Sequence, residues 1–437
     1  MYTSGDTIYA LASGLGTAGV AVIRISGPKV LDVLVKLCNL KNPKPNCTYF
    51  RTIKSGEKAL DRGLILYFKA PHSFTGEDVA ELQVHGGRGV IQSIMQALSE
   101  ISGLRPAERG EYSRRAVING KMDLTEAEGL LDLVHAETEE QRKQALAQLD
   151  GNLGKLYESW RAQLVHHLAY AEAFIDFPEE EIPPEKEQEI NTDIHDLIQK
   201  ISEHLSDNRR GERLREGFQI AILGVPNVGK SSLVNALTKK DVAIVSQTAG
   251  TTRDIVEAHL DVAGFPVILA DTAGLRNSDE EIEAEGIRRA VKRAEQADLI
   301  LSIQDAKDYP NTKKLPKALD KKRVIILWNK SDLLKKNPST NEHFISAKTG
   351  AGIIALWDEI KTILTDSFSG EAAITRERYR VALTECVEYL QLALNAPALE
   401  LKTEDLRLAA RALGRITGRI EVDELLDVIF RDFCIGK

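Results

Sequence analysis

The sequence predicts a multidomain α/β protein with an α+β amino-terminal domain, a discontinuous all-α domain, and a domain with a mixed, mostly parallel sheet inserted into the helical one. Three observations predict it. Residues 1 to about 118 alternate short β-type runs, such as 20–25 and 63–68, with turns rich in Gly, Pro and Asn. Apolar residues recur at helical spacing on both sides of the middle of the chain. Between those stripes, three short apolar runs, 218–223, 267–270 and 324–328, each end in a motif containing Gly, Asp or Asn, as buried strands of a parallel sheet do.

In chain order, the texture changes at Thr125. Thr125 and Glu128 have capping-box spacing and open an Ala-, Leu- and Glu-rich stretch that ends at the Asp176-Phe177-Pro178 step. After an acidic linker with Pro183 and Pro184, positions Ile190, Ile194, Leu197, Ile198, Ile201 and Leu205 fall on one helical face. Tyr379, Leu383, Cys386, Val387, Leu390 and Leu394 repeat the pattern, and two shorter helices are expected from there to Phe433. Single-faced helices need partners. The expected division is therefore 1–118, a helical part at 119–215, an insertion at 216–369 and a second helical part at 370–437.

The inserted segment carries the chemistry. Residues 224–231 read GVPNVGKS, a P-loop: Gly224 and Gly229 allow backbone angles closed to other residues, so the amides from Asn227 through Val228 to Ser232 can face phosphate oxygens, and Lys230 adds a point charge. Alone, such a loop also serves ATPases or is an ordinary Gly-rich turn. Its companions remove that reading. In GTTRD, Thr251 or Thr252 can offer oxygen to a magnesium ion held by Ser231, and DTAG places Asp271 behind the metal with the Gly274 amide near the terminal phosphate. Asn329, Lys330 and Asp332 of NKSD supply base recognition, because a carboxylate accepts from the N–H and amino groups of guanine while adenine leaves it unpaired. Each such charged hydrogen bond is worth about 1.5–3 kcal/mol. Ser346, Ala347 and Lys348 back the base with a main-chain amide. The set predicts a Ras-like guanine-nucleotide hydrolase. Leu275 stands where Ras-like switches place a water-orienting Gln, so one carboxylate of the acidic run 277–285 is expected to take that part.

Composition bounds the rest. The 437 residues suffice for two to four domains, at roughly 100–200 residues each. No apolar run approaches the roughly 18 residues of a membrane span, and the start lacks a signal-peptide pattern, so a cytoplasmic protein without membrane contact is expected. Cys38, Cys47, Cys386 and Cys434 have neither disulfide-framework nor zinc spacing. The net charge of −8 argues against broad nucleic-acid affinity, so any RNA contact must be regional. Two readings of Cys434 stay open: a buried hydrophobe, or a reactive thiol on a terminal tail.

The whole chain resembles the tRNA-modification GTPase family MnmE, also called TrmE. The resemblance rests on DTIYALAS and VIRISGP, SFTGEDVAELQVHGG, NGKMDLTEAEGL, FIDFPEEEI, the nucleotide motifs and the terminal CIGK. It implies a potassium-activated GTPase that dimerises through its G domains. With an MnmG-type FAD protein it would form a heterotetramer that installs an aminomethyl or carboxymethylaminomethyl group at C5 of the wobble uridine of certain tRNAs. The one-carbon unit would come from a tetrahydrofolate derivative, 5-formyl or 5,10-methylene. The amino-terminal domain would bind that folate and dimerise. Arg24, Glu81 and Lys121 match folate ligands; ordinary surface ion pairing is the alternative for these three. Asn227, with Gln247, Ala249 and Thr251 of the loop that follows, matches the potassium ligands; Glu283 matches the water-orienting acid, and Cys434 falls in a signature facing the folate site. A different class of reading is a regulatory GTPase acting as an RNA- or ribosome-assembly switch with terminal adaptor domains, but no RNP-type or GXXG-centred RNA module is evident.

Overall fold

A computed structural model describes residues 5–14, 16–176, 184–238, 257–271, 288, 290–334, 342–368, 373–419, 426 and 429–436. The chain forms two compact units. One comprises residues 1–131, 148–182 and 388–437; the other comprises 132–147 and 183–387.

The first unit begins with six strands: β1 (Thr7–Leu11), β2 (Ala18–Ser26), β3 (Thr48–Ser55), β4 (Lys58–Phe68), β5 (Val79–Gly86) and β6 (Leu104–Pro106). They form one sheet in the order β3-β4-β5-β2-β1-β6, antiparallel except where β6 joins β1. Strand alternation divides its faces. Ile23, Ile25, Ile53, Ile65 and Leu82 pack against Val33, Leu34, Ile94 and Leu98 of the helices Val30–Cys38 and Arg88–Ser99. Arg24 and Glu81, one residue out of phase, fall on the opposite face.

The helix expected near Thr125 begins one residue earlier, at Leu124. Its capping box is made by a different pair with the same spacing: Asp123 Oδ1 accepts the Glu126 amide at 2.8 Å, and Glu126 Oε2 accepts the Asp123 amide at 2.7 Å. Asp123 also takes the Thr125 hydroxyl at 2.7 Å, so the expected cap residue supports the actual one. Gly151, at φ +82°, separates the helices Glu139–Leu149 and Asn152–Asp176. Helix Asn152–Asp176 packs along Leu399–Thr417, which lies beyond the nucleotide motifs in sequence. Thr417 Oγ1 donates to Glu158 at 2.5 Å and Arg407 pairs with Glu172 at 2.8 Å. The expectation of two shorter helices after residue 394 is corrected here: Leu399–Thr417 has 19 residues, as many as Glu377–Asn395 before it, and is closed by Gly418 at φ +83°.

The second unit holds β7 (Phe218–Gly224), β8 (Glu257–Val262), β9 (Phe265–Asp271), β10 (Leu299–Asp305), β11 (Val324–Asn329) and β12 (His343–Phe344). Their order is β12-β11-β10-β7-β9-β8, parallel except for the edge strand β8. The helices Lys230–Thr238 and Ile353–Phe368 bury Leu233, Leu237, Leu356, Trp357 and Ile360 against Ile220, Ile222, Leu269, Leu301 and Leu327. Helix Pro184–Leu205 buries Ile190, Ile194, Leu197 and Ile201, four residues of its expected stripe. Among the described residues no helix is long and apolar enough to cross a membrane.

Candidate functional site

Among the described residues, the P-loop and the NKSD motif lie at the carboxyl ends of β7 and β11, where ligands of open α/β sheets bind. The loop after β7 is fixed by close approach. A Cβ at Gly224 would stand 2.6 Å from the Ile303 carbonyl oxygen and 2.9 Å from Val228 Cγ1. Gly229 has φ +104°, and a Cβ there would stand 2.3 Å from Asn329 Nδ2. Only glycine fits both constraints. Asn227, exposed, also takes a left-handed conformation at φ +61°. Lys230 opens helix Lys230–Thr238, and its Nζ donates to the carbonyls of Gly224 at 2.8 Å and Val225 at 3.0 Å. Ser231 and Ser232 are exposed in the first turn, at a helix amino terminus, whose dipole favours an anion.

Asn329 joins the two recognition loops. Its Nδ2 donates to the Val228 carbonyl at 2.8 Å, while its Oδ1 accepts the Ala347 amide at 3.0 Å. Ser346 Oγ donates to Asp332 Oδ1 at 2.6 Å and accepts the Thr349 amide at 3.2 Å, which orients the carboxylate and tightens the loop that carries Ala347 and Lys348. Lys330 turns the chain out of β11 at φ +66°.

Sequence reasoning missed Asp305, at the end of β10. The parallel register sets Asp305 opposite Asn329, and Lys330 Nζ reaches its carboxylate at 2.8 Å. Burial works to raise the Asp305 carboxyl, yet the hydrogen bonds from Lys330 and the Lys307 amide hold it below the usual carboxylate range. A carboxylate ending an apolar strand is the only signal the sequence offers for it. Of the remaining expected residues, Asp271 is the last residue of β9 by its backbone; Gln247, Ala249, Thr251, Thr252, Gly274 and Glu283 lie outside the described residues.

In the first unit, Arg24 and Glu81 are direct cross-strand partners on β2 and β5. Arg24 Nε and Nη2 approach Glu81 Oε1 at 3.0 and 2.9 Å, and the guanidinium lies 5.3 Å from the Phe74 ring centroid and 5.7 Å from that of Tyr112. Lys121 is exposed, and its stem runs beside Gly76 in the loop that carries Phe74: a Cβ at Gly76 would stand 3.2 Å from Lys121 Cγ. Lys121 does not enter the Arg24–Glu81 pair.

Cys434 is exposed, which corrects the buried-hydrophobe reading; its neighbour Phe433 is the buried residue, in ring contact with Phe430. The tail around it is docked. Ile435 forms an antiparallel bridge with Arg109, the Gly110 amide donates to the Cys434 carbonyl at 3.4 Å, and a Cβ at Gly436 would stand 2.3 Å from the Leu11 carbonyl oxygen.

The parallel sheet, the P-loop and the Asn329-centred base loop define a P-loop GTPase. The family description "GTP-binding protein TrmE N-terminus" matches residues 7–121, and "MnmE helical domain" matches residues 124–434. The tRNA modification GTPase MnmE of Rhodospirillum rubrum is 48% identical over 99% of both chains. That of Parvibaculum lavamentivorans is 51% identical, covering 99% of this chain and 100% of its own. A mitochondrial 5-taurinomethyluridine-tRNA synthase subunit of Danio rerio is 44% identical, covering 99% of this chain and 93% of its own. The chain belongs to the tRNA modification GTPase MnmE family.

Proposed function

We propose that this protein is a potassium-activated, homodimeric GTP hydrolase of the cytoplasm that works with an MnmG-type FAD protein in a heterotetramer. Its product would be an aminomethyl or carboxymethylaminomethyl group at C5 of the wobble uridine of certain tRNAs. The observation that carries this reading is the end-to-end match to tRNA modification GTPases, which includes the terminal domains as well as the nucleotide motifs. The relative named as a taurinomethyluridine-tRNA synthase subunit supports a uridine of tRNA as the substrate.

Nucleotide would lie along the 224–232 loop, with amides from Asn227 to Ser232 and the ammonium of Lys230 neutralising its phosphates, and with Asp332 on the guanine edge. Ser231, with Thr252, is the candidate magnesium ligand; Asn227, with Gln247, Ala249 and Thr251, is the candidate potassium set. A cation there would stabilise charge developing on the transferred phosphoryl group. Glu283 is the candidate for orienting water. In Asn227→Ala, potassium stimulation should vanish with GTP affinity unchanged.

Arg24 and Glu81, paired across β2 and β5, together with the exposed Lys121 suit a folate, because a carboxylate matches the pterin edge and cations match the glutamate tail. A tetrahydrofolate derivative would supply the one-carbon unit there. The domain division at 118, 215 and 369 belongs to the same reading, and packing of Asn152–Asp176 against Leu399–Thr417 supports a helical domain assembled from both sides of an insertion. Reconstitution tests the whole: purified protein, flavoprotein partner, unmodified tRNA, 5,10-methylenetetrahydrofolate, a nitrogen donor and GTP with potassium should yield the modified uridine, and omission of the folate or GTP should abolish it. Product formed without this protein would refute the proposal.

A further inference from the structure

Residues 313–323 carry six cationic side chains, Lys313, Lys314, Lys317, Lys321, Lys322 and Arg323, against one acid, Asp320, in a chain with net charge −8. The segment connects β10 to β11, and none of the nucleotide motifs draws on it. Its backbone is anchored. The Lys313 amide donates to Gln304 Oε1 at 3.0 Å, and Leu319 is buried in a cluster with Ala294, Ala297 and Ile300, against which Leu315 also packs. Lys322 belongs to that anchoring, since its Nζ donates to the Ala297 carbonyl at 2.9 Å. The other five cations are exposed, and among the described residues none enters an ion pair.

A fixed backbone presenting unpaired cations suits a polyanion, whose condensed counterions are released when such charges replace them. A protein partner would call for an exposed aromatic or large apolar anchor among the charges. This segment has none: Leu315 is half-buried and Leu319 buried, leaving only Pro316 and Ala318 exposed between the lysines. The geometry points to residues 313–323 as a contact surface for the sugar–phosphate backbone of RNA, which positions the substrate without reading its sequence. The inference rests on the reading that tRNA is the substrate and adds a binding surface on the nucleotide-binding unit.

The test is fluorescence anisotropy of labelled tRNA titrated with the full chain over a potassium chloride series. Wild type is compared with the combined variant Lys313→Ala, Lys314→Ala, Lys317→Ala, Lys321→Ala. A control removes the same charge from four exposed lysines of the other unit, Lys36, Lys54, Lys58 and Lys69. The patch variant should bind about ten-fold or more weakly at about 100 mM salt, with a slope of log affinity against log salt shallower by about two to four. Basal GTP hydrolysis should be unchanged in both variants, and the control should bind as wild type does. Unchanged affinity and slope in the patch variant, or an equal loss in the control, would overturn the inference while leaving tRNA as substrate. Wild type failing to bind tRNA at any salt would overturn the substrate reading and the inference with it.

Discussion

Asn329 reaches across the site to the P-loop: its Nδ2 donates to the Val228 carbonyl at 2.8 Å, and both groups are buried. The same side chain holds the Ala347 amide through Oδ1. One amide therefore sets the spacing between the phosphate loop and the two segments assigned to the base. Asn329→Ala removes both bonds, and the buried Val228 carbonyl and half-buried Ala347 amide lose that partner. The expected loss in GDP affinity is about 2–4 kcal/mol, or about 30- to 1000-fold, read by titration of a fluorescent GDP analogue. An unchanged affinity would mean that the loops are positioned without it.

Gly229→Ala should be more severe for binding than for folding. Its φ of +104° disfavours any side chain, and the added methyl would meet Asn329 Nδ2 at 2.3 Å. The P-loop must then shift, whereas the sheet beneath it is held by strand pairing and core packing. Circular dichroism should match wild type while calorimetry finds no GDP binding.

Glu111 is fully buried between Arg105 and Arg115, at 2.6 and 2.9 Å. Burial alone would push its carboxyl up, but the Arg105 hydrogen bond, the Glu108 amide and Arg115 hold it below the ordinary value of 4.5. Its contribution to stability is complete above that value and is lost as pH falls below it. Glu111→Gln should cost about 1.5–3 kcal/mol at neutral pH, because Arg105 and Arg115 lose one charged hydrogen-bond partner while both keep Asp6, and should lessen the acid dependence. Urea melts at pH 7 and pH 4 check both.

Arg24→Ala separates the two chemistries. It removes the partner of Glu81 and the cation over Phe74 and Tyr112, so binding of a tetrahydrofolate derivative should fall about ten-fold or more. GTP hydrolysis by the second unit's motifs should persist. Folate binding equal to wild type would return Arg24 and Glu81 to ordinary ion pairing.

The strand-loop-helix at 218–238 was legible because its signals are contiguous: the Gly224 and Gly229 positions, the apolar strand before them and the helix after them occupy one short stretch. Asp305 was not legible, because its pairing with Lys330 depends on the parallel register of β10 and β11, which no local spacing encodes. The capping pair was misassigned because Asp123 and Glu126 share the spacing of Thr125 and Glu128, and only geometry separates them. Cys434 faces outward because Ile435 pairs with Arg109, more than three hundred residues earlier in the chain. Arg24 and Glu81 acquired meaning from family resemblance; the sheet then added that they stand opposite each other.

The most direct measurement is mass spectrometry of nucleosides from bulk tRNA of a strain lacking this gene, rescued with wild type, Asn329→Ala or Cys434→Ser. The account predicts loss of an aminomethyl-type wobble uridine in the deletion strain, restored by wild type, with Asn329→Ala failing through its nucleotide site and Cys434→Ser through the docked tail. An unchanged nucleoside profile in the deletion strain would contradict it.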